Sequence, residues 1–191
     1  MACTFCAQAG TFTQTTPYHY NYTGDIDTAD VALLAALPND HEVTVVVNSK
    51  GGEYVAGLDL GRLTKLRHVH IVVDFAASAA GLWALGDPHV AYLPAGLGVW
   101  LHLPFIYGLS EDPETWMMDG VVLESYIMDM LGYKRERADA MLIELTYLRS
   151  TFGHSAYLVM HGGSSTDMIL DPKNPHNAEG EGNYIPFTYH G

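Results

Sequence analysis

Ser78, His102 and the pair Gly51-Gly52 are the residues whose types and settings could carry chemistry. Ser78 stands in Asp74-Phe75-Ala76-Ala77-Ser78-Ala79-Ala80-Gly81, after an apolar β-type run and at the start of a helix of very small residues. A hydroxyl there meets the free N–H groups of a helix N-terminus, which stabilise developing negative charge, and small neighbours admit a substrate carbonyl. Taken alone, the position suits a plain N-cap serine of an Ala-rich packing helix better. His102 ends the apolar run Gly98-Val99-Trp100-Leu101. It reads as a hydrogen-bonded histidine at a strand end or, beside a serine hydroxyl, as the general base for acyl transfer. Gly51-Gly52 lets the chain turn sharply after a buried strand and offers backbone donors. Neither GxGxxG nor GxxxxGK followed by Ser or Thr occurs, so the pair is no phosphate cradle. It can form half of an oxyanion hole, with the Gly52 N–H on one side and the Ala79 N–H on the other.

The elements needed to bring these residues together are legible in outline. Residues 11–23, rich in Thr and Tyr, read as an early β segment ending at Thr23-Gly24. Asp27-Thr28 caps a short helix, Ala29–Leu37, stopped by Pro38-Asn39-Asp40. Glu42–Val47 and Val69–Val73 are β-branched runs of the kind buried on both faces of a parallel sheet. Between them, Val55, Leu58, Leu63 and Leu66 give Tyr54–Leu66 helical spacing. Ala76–Leu85 reads as a core helix, and Val90–Leu93 and Leu97–Leu101 as short strands. Strand, helix, strand, helix, strand over 42–101 is the grammar of a parallel α/β sheet. Ligand and catalytic sites of such sheets gather at the carboxyl ends of the strands, where Gly51-Gly52, Ser78 and His102 all fall. Asp112-Pro113-Glu114 then opens a helix running to about Leu131, and Lys134–Thr151 makes another, with Gly153 as its C-cap. Residues 162–191 are rich in Gly, Pro, Asn and His and read as an extended tail with one short apolar stretch, Met168–Leu170.

Four segments in order carry a resemblance. Val45-Val46-Val47-Asn48-Ser49-Lys50-Gly51-Gly52 with Ala56-Gly57-Leu58 resembles the I-N-S-P-G-G…A-G segment of the proteolytic subunit of Clp protease. Phe75–Ala80 resembles that family's nucleophile segment, Val99–Pro104 its M-I-H-Q-P histidine segment, and Thr23-Gly24-Asp25-Ile26 its early strand–turn. The spacings agree: 26 residues from Gly52 to Ser78 and 24 from Ser78 to His102, within a likeness covering about residues 18–105. The resemblance implies a ClpP/crotonase-like αβ spiral of repeated ββα units, here with an extended helical half and an irregular C-terminal tail. The expected organisation is an N-terminal arm over 1–17, the ClpP-like domain over 18–170 with a helical handle at about 112–152, and a tail over 171–191.

The resemblance also implies a serine endopeptidase working as a homo-oligomeric ring on peptide or protein substrates, without a cofactor or metal. Ser78 is then the nucleophile, His102 the base, and Gly52 and Ala79 the oxyanion hole. The family's acid lies in a D-x-F-x-S-A segment, for which Asp167-Met168-Ile169-Leu170-Asp171-Pro172 is the counterpart. Asp167 is the first candidate acid and Asp171 the alternative. Lys50 departs from the family's proline, and a Ser-Lys dyad, as in signal-peptide-peptidase-like relatives, is the lesser alternative to His102. An ATP-dependent unfoldase is the partner of such rings. Members encoded by bacteriophages are linked to head maturation, which adds viral capsid proteins as partners. It also opens a different reading, a weak or inactive ClpP-fold assembly protein. A crotonase-type acyl-CoA enzyme fits less well, because this chain lacks the basic residues that CoA phosphates need.

Composition narrows the rest. Nine Lys+Arg against 22 Asp+Glu leave a formal charge of −13, which repels phosphate backbones and anionic headgroups. No nucleic-acid or membrane role is expected, and no apolar run reaches the length of a membrane span. Without a readable secretory signal the expected place is the cytoplasm, or the virion under the assembly reading. Cys3 and Cys6 form a CxxC with no second ligand pair nearby; they read as reduced thiols or as an intersubunit crosslink or metal arm. His161-Gly162-Gly163 reads as a loop and Lys134–Arg137 as a solvated helix start. The Met-rich helix, with Trp116, Met117, Met118, Val121, Val122, Tyr126, Ile127 and Met130, is apolar over too wide an arc for one core-facing stripe, which implies a second copy against it.

Overall fold

The protein is described by a computed structural model over residues 10–93, 98–104, 113–152, 157–160, 167–171 and 185–188. Cys3, Cys6, Gly153, His161-Gly162-Gly163 and much of the tail lie outside the described residues. The fold is mixed α/β. Its strands are β1 (Thr11–Thr16), β2 (His19–Thr23), β3 (Thr44–Ser49), β4 (His70–Ala77), β5 (Ala91–Tyr92), β6 (Val99–Leu101), β7 (Tyr157–Met160), β8 (Asp167–Asp171) and β9 (Ile185–Thr188). The helices are α1 (Thr28–Ala36), α2 (Tyr54–Arg67), α3 (Ala79–Ala84), α4 (Pro113–Leu131) and α5 (Arg135–Phe152). All described strands join one sheet, ordered β1-β2-β3-β4-β6-β7-β8-β9, with β5 also on β4.

The sheet has two characters. From β2 to β6 the pairs are parallel, linked by α1, α2 and α3. Val45, Val47, Ile71 and Val73 are fully buried in it, as continuous β-branched runs require. From β6 to β9 the pairs are antiparallel. The outer strands take in residues expected to be arm and tail: β1 hairpins onto β2 through a turn at Tyr18 (φ +65°), and β9 pairs with β8.

Local chemistry explains the helix starts. Asp27 accepts from the Ala29 N–H while the Asp30 carboxylate accepts from the Asp27 N–H, a reciprocal capping box that starts α1. Helix α2 forms over the expected span, but on a different face. Val55 and Leu66 are 64% and 76% exposed, and the buried residues are Ala56, Gly57, Leu58, Leu60, Gly61 and Thr64. Small residues occupy this face because α2 packs backbone-close on α3: a Cβ on Gly57 would lie 2.5 Å from the Ala79 carbonyl oxygen. Ala76 and Ala77, expected in the helix, instead end β4. They pair with Val99 and Trp100, and ladder bonds there outweigh alanine's helix preference.

Candidate active site

Strand β4 does not run evenly into the site. Val47 pairs with Val73 but Asn48 pairs with Phe75, so Asp74 is an extra residue that bulges the strand four positions before Ser78. Bulges bend a strand and re-aim the residues beyond the kink. The Ser78 N–H then donates to the Trp100 carbonyl (2.8 Å), and the Ser78 carbonyl receives the Leu82 N–H (3.1 Å) as α3 begins. Between these anchors Ser78 takes φ +55°, ψ −123°. Such sparsely populated backbone costs a residue bearing a β-carbon roughly 1–3 kcal/mol.

The side chain distinguishes the two sequence readings of Ser78. A capping serine would accept from the first-turn N–H groups of α3, and Ser78 makes no such bond. Its Oγ lies 2.7 Å from His102 Nε2. The other ring nitrogen, Nδ1, lies 2.6 Å from the Leu103 carbonyl oxygen. A carbonyl only accepts, so Nδ1 carries the ring proton of the neutral imidazole and Nε2 presents its lone pair to the hydroxyl. That is the tautomer a general base needs, and a backbone carbonyl selects it. Both side chains are half-buried.

Gly51 and Gly52 close the other side. Gly51 (φ +106°) has no room for a side chain: a Cβ there would lie 2.6 Å from Ser78 Cβ, 2.7 Å from the Ala77 carbonyl oxygen and 3.0 Å from the Ala79 nitrogen. The loop is pinned by Ser49 Oγ, which donates to the Gly24 carbonyl (2.7 Å) and accepts from the Gly51 N–H (3.1 Å). Ile26 bridges its far side through Ile26 N–H to Gly51 O (2.8 Å) and Glu53 N–H to Ile26 O (2.9 Å). This parallel pattern engages the Gly51 carbonyl and Glu53 N–H with Ile26 and leaves the Gly52 N–H unused by the bridge. Ala79, first residue of α3, has an N–H with no intrahelical acceptor.

The acids fall at different heights. Leu101 pairs with Leu158, and Leu158 with Leu170. Asp171 therefore stands level with His102, two strands across, or about 10 Å between backbones. Asp167 stands at the other end of β8, level with Gly98. The register favours Asp171, the second choice from sequence, over Asp167. Lys50 is exposed, and the hydroxyl of Ser78 turns to His102 rather than to it.

Sequence reasoning missed two backbone contacts and the division of labour within the glycine pair. Leu103 acts through its carbonyl, which no side-chain pattern reveals. Trp100 acts through its carbonyl as well. Gly51, rather than Gly52, makes the close contact with Ser78; the doubled glycine signalled the turn but not which residue abuts the serine.

Among the described residues no cluster of three His, Cys, Asp or Glu side chains could hold a metal ion, and no helix is long and apolar enough to cross a membrane. The sequence matches no family model and no curated protein. It is similar to the solved structures of ClpP1 from Listeria monocytogenes (TM-score 0.46, 23% identity, covering 64% of this chain and 76% of that one) and of a mutant of the same protein (TM-score 0.46, 22% identity, 65% and 78%).

Proposed function

We propose that this protein is a ClpP-like serine endopeptidase acting as a homo-oligomer, with Ser78 as nucleophile, His102 as general base, and Asp171 as the candidate acid in place of Asp167. The observation that carries this reading is the 2.7 Å contact between Ser78 Oγ and the lone-pair nitrogen of His102. The four sequence segments in matching order support it.

The chemistry derives from the contacts. Ser78 Oγ attacks a peptide carbonyl as its proton passes to His102 Nε2. The resulting imidazolium keeps its Nδ1–H on the Leu103 carbonyl, which stabilises the new positive charge. The oxyanion of the tetrahedral intermediate takes hydrogen bonds from the Gly52 and Ala79 N–H groups. Collapse breaks the C–N bond, the leaving amine takes the proton from Nε2, and water hydrolyses the acyl-serine by the same route in reverse. Nothing in this series of steps needs a cofactor.

Assembly is supported by apolar side chains left in water. Val121 and Val122 on α4 and Ile143 on α5 are 44–69% exposed, while Leu123, Tyr126, Ile127 and Met130 face the core. The experiment for the reading is turnover of a fluorogenic peptide by the wild type, compared with Ser78→Ala. Turnover lost in the variant supports it. Turnover absent from a correctly folded wild type supports the assembly protein instead.

A further inference from the structure

The chemistry assigned to Ser78 uses no charged side chain at the mouth of the site, yet a lysine stands beside it. Lys50 is exposed, although the residues on either side, Ser49 and Gly51, are buried. The loop is fixed on both sides of it by the Ser49 Oγ bonds to Gly24 O and Gly51 N–H and by the Ile26 N–H to Gly51 O bond. Because the Cβ position of Gly51 falls 2.6 Å from Ser78 Cβ, and adjacent Cα atoms are about 3.8 Å apart, the Lys50 Cα lies within about 8 Å of Ser78 Cβ. A flexible four-carbon stem carrying a point charge covers that distance.

Two carboxylates flanking the loop, one bonded to Asn48 and one three residues after Lys50, are turned to other partners. Asp74 Oδ2 accepts from Asn48 Nδ2 (2.6 Å), and Glu53 Oε2 accepts from Thr28 Oγ1 (2.7 Å). Asp25 is exposed on the turn before α1. Among the described residues Lys50 forms no ion pair. In a chain of formal charge −13, an exposed lysine with no ion-pair partner among the described residues therefore stands within a side chain's reach of this site.

We infer that Lys50 is a specificity-determining residue that selects peptides carrying a carboxylate side chain next to the scissile bond. The inference rests on the peptidase reading of Ser78 and adds a substrate class to it. A carboxylate beside the scissile bond pairs with Lys50 and is drawn out of the repulsive field of the rest of the surface; a substrate ammonium there is repelled. An exposed ion pair of this kind is worth about twofold to fivefold in affinity, and salt weakens it.

The test compares kcat/KM for matched fluorogenic peptides that differ only by Glu, Gln or Lys next to the scissile bond, in two series, one for each side of that bond. The enzymes are the wild type, Lys50→Met and Lys50→Glu, at low and high salt. The expected result is a preference for Glu over Gln of about fivefold or less in the wild type, compressed by salt, flattened in Lys50→Met and reversed toward Lys in Lys50→Glu. Equal rates on Glu and Gln peptides in the wild type, or the same ratio in wild type and Lys50→Met, overturn the inference. If a fluorophosphonate labels Ser78 while the preference is absent, the peptidase reading stands without it. A wild type that neither labels nor cleaves any of the peptides overturns both.

Discussion

Two histidines at opposite ends of the parallel strands present the same imidazole chemistry with different outcomes. At the amino end, His70 opens β4 and its Nδ1 lies 2.8 Å from Asp87 Oδ2. The Asp87 carboxylate also receives the Ile71 N–H (2.7 Å) and the His89 N–H (2.8 Å) and is almost fully buried. This pair borders a cleft of about 800 Å³ that His41, His68 and His89 also line. It has the orienting acid of a hydrolase but no serine or cysteine among its lining residues. At the carboxyl end, His102 has a hydroxyl in reach and a backbone carbonyl on Nδ1. The lesson is that an acid–histidine pair is not by itself a site. What separates the two ends is the strained serine and the glycines packed against it, and only the carboxyl ends of the strands bring a loop and a helix N-terminus together.

The widest gap between the two ends is in activity. His102→Ala should reduce peptide turnover by roughly 10³-fold or more, since acyl transfer loses its base. His70→Ala should leave turnover within about twofold and lower stability by about 1–3 kcal/mol, because it removes one partner of a buried carboxylate. A chemical melt and an initial-rate assay on each variant separate the two cases. Equal loss of turnover in both would erase the distinction.

Next in size is the acid. Asp171→Asn should lower kcat, by less than the roughly 10⁴-fold loss seen when a serine protease loses its triad acid, because the Leu103 carbonyl already holds Nδ1. Asp167→Asn, level with Gly98, should leave kcat unchanged. The reverse order in a steady-state assay would mean that the sequence preference for Asp167 was right and the register misleading.

How much is legible in the sequence divides along the same line. The parallel half announces itself: β-branched runs, a doubled glycine and Asp27 with its capping partner are local signals, and local signals give strands, turns and caps. The outer antiparallel half does not. β8 and β9 lie in a stretch with a single short apolar run, and pairing between strands leaves little trace in composition. The buried face of α2 departs from expectation because leucine spacing points to one stripe, whereas contact between helices selects Gly57 and Gly61. In the site, side chains can be read and backbone groups cannot. Ser78 and His102 are found by type; the Leu103 and Trp100 carbonyls, which orient them, belong to residues whose identity carries no hint of that role.

A smaller effect probes the backbone itself. Gly51→Ala would force a Cβ against Ser78 and Ala77 at φ +106°, so the melting midpoint should fall, by about 1–3 kcal/mol of strain, with peptidase activity falling too. Gly120→Ala, where a Cβ meets nothing within 4 Å, is the matched control in a helix and should not destabilise. Smallest is a charge on α5, outside the residues assigned to the site. Burial raises the Glu144 carboxyl above its ordinary value, so the folded state disfavours its ionised form. Glu144→Gln should therefore melt slightly above wild type at neutral pH, and the gap should close as acid protonates the wild-type side chain.

The measurement that reaches the central claim most directly is intact mass after exposure to a fluorophosphonate. The wild type should gain one adduct per chain, mapped to Ser78, while Ser78→Ala and His102→Ala gain none at the same exposure. A folded wild type that stays unmodified, or an adduct that persists in Ser78→Ala, would contradict the account.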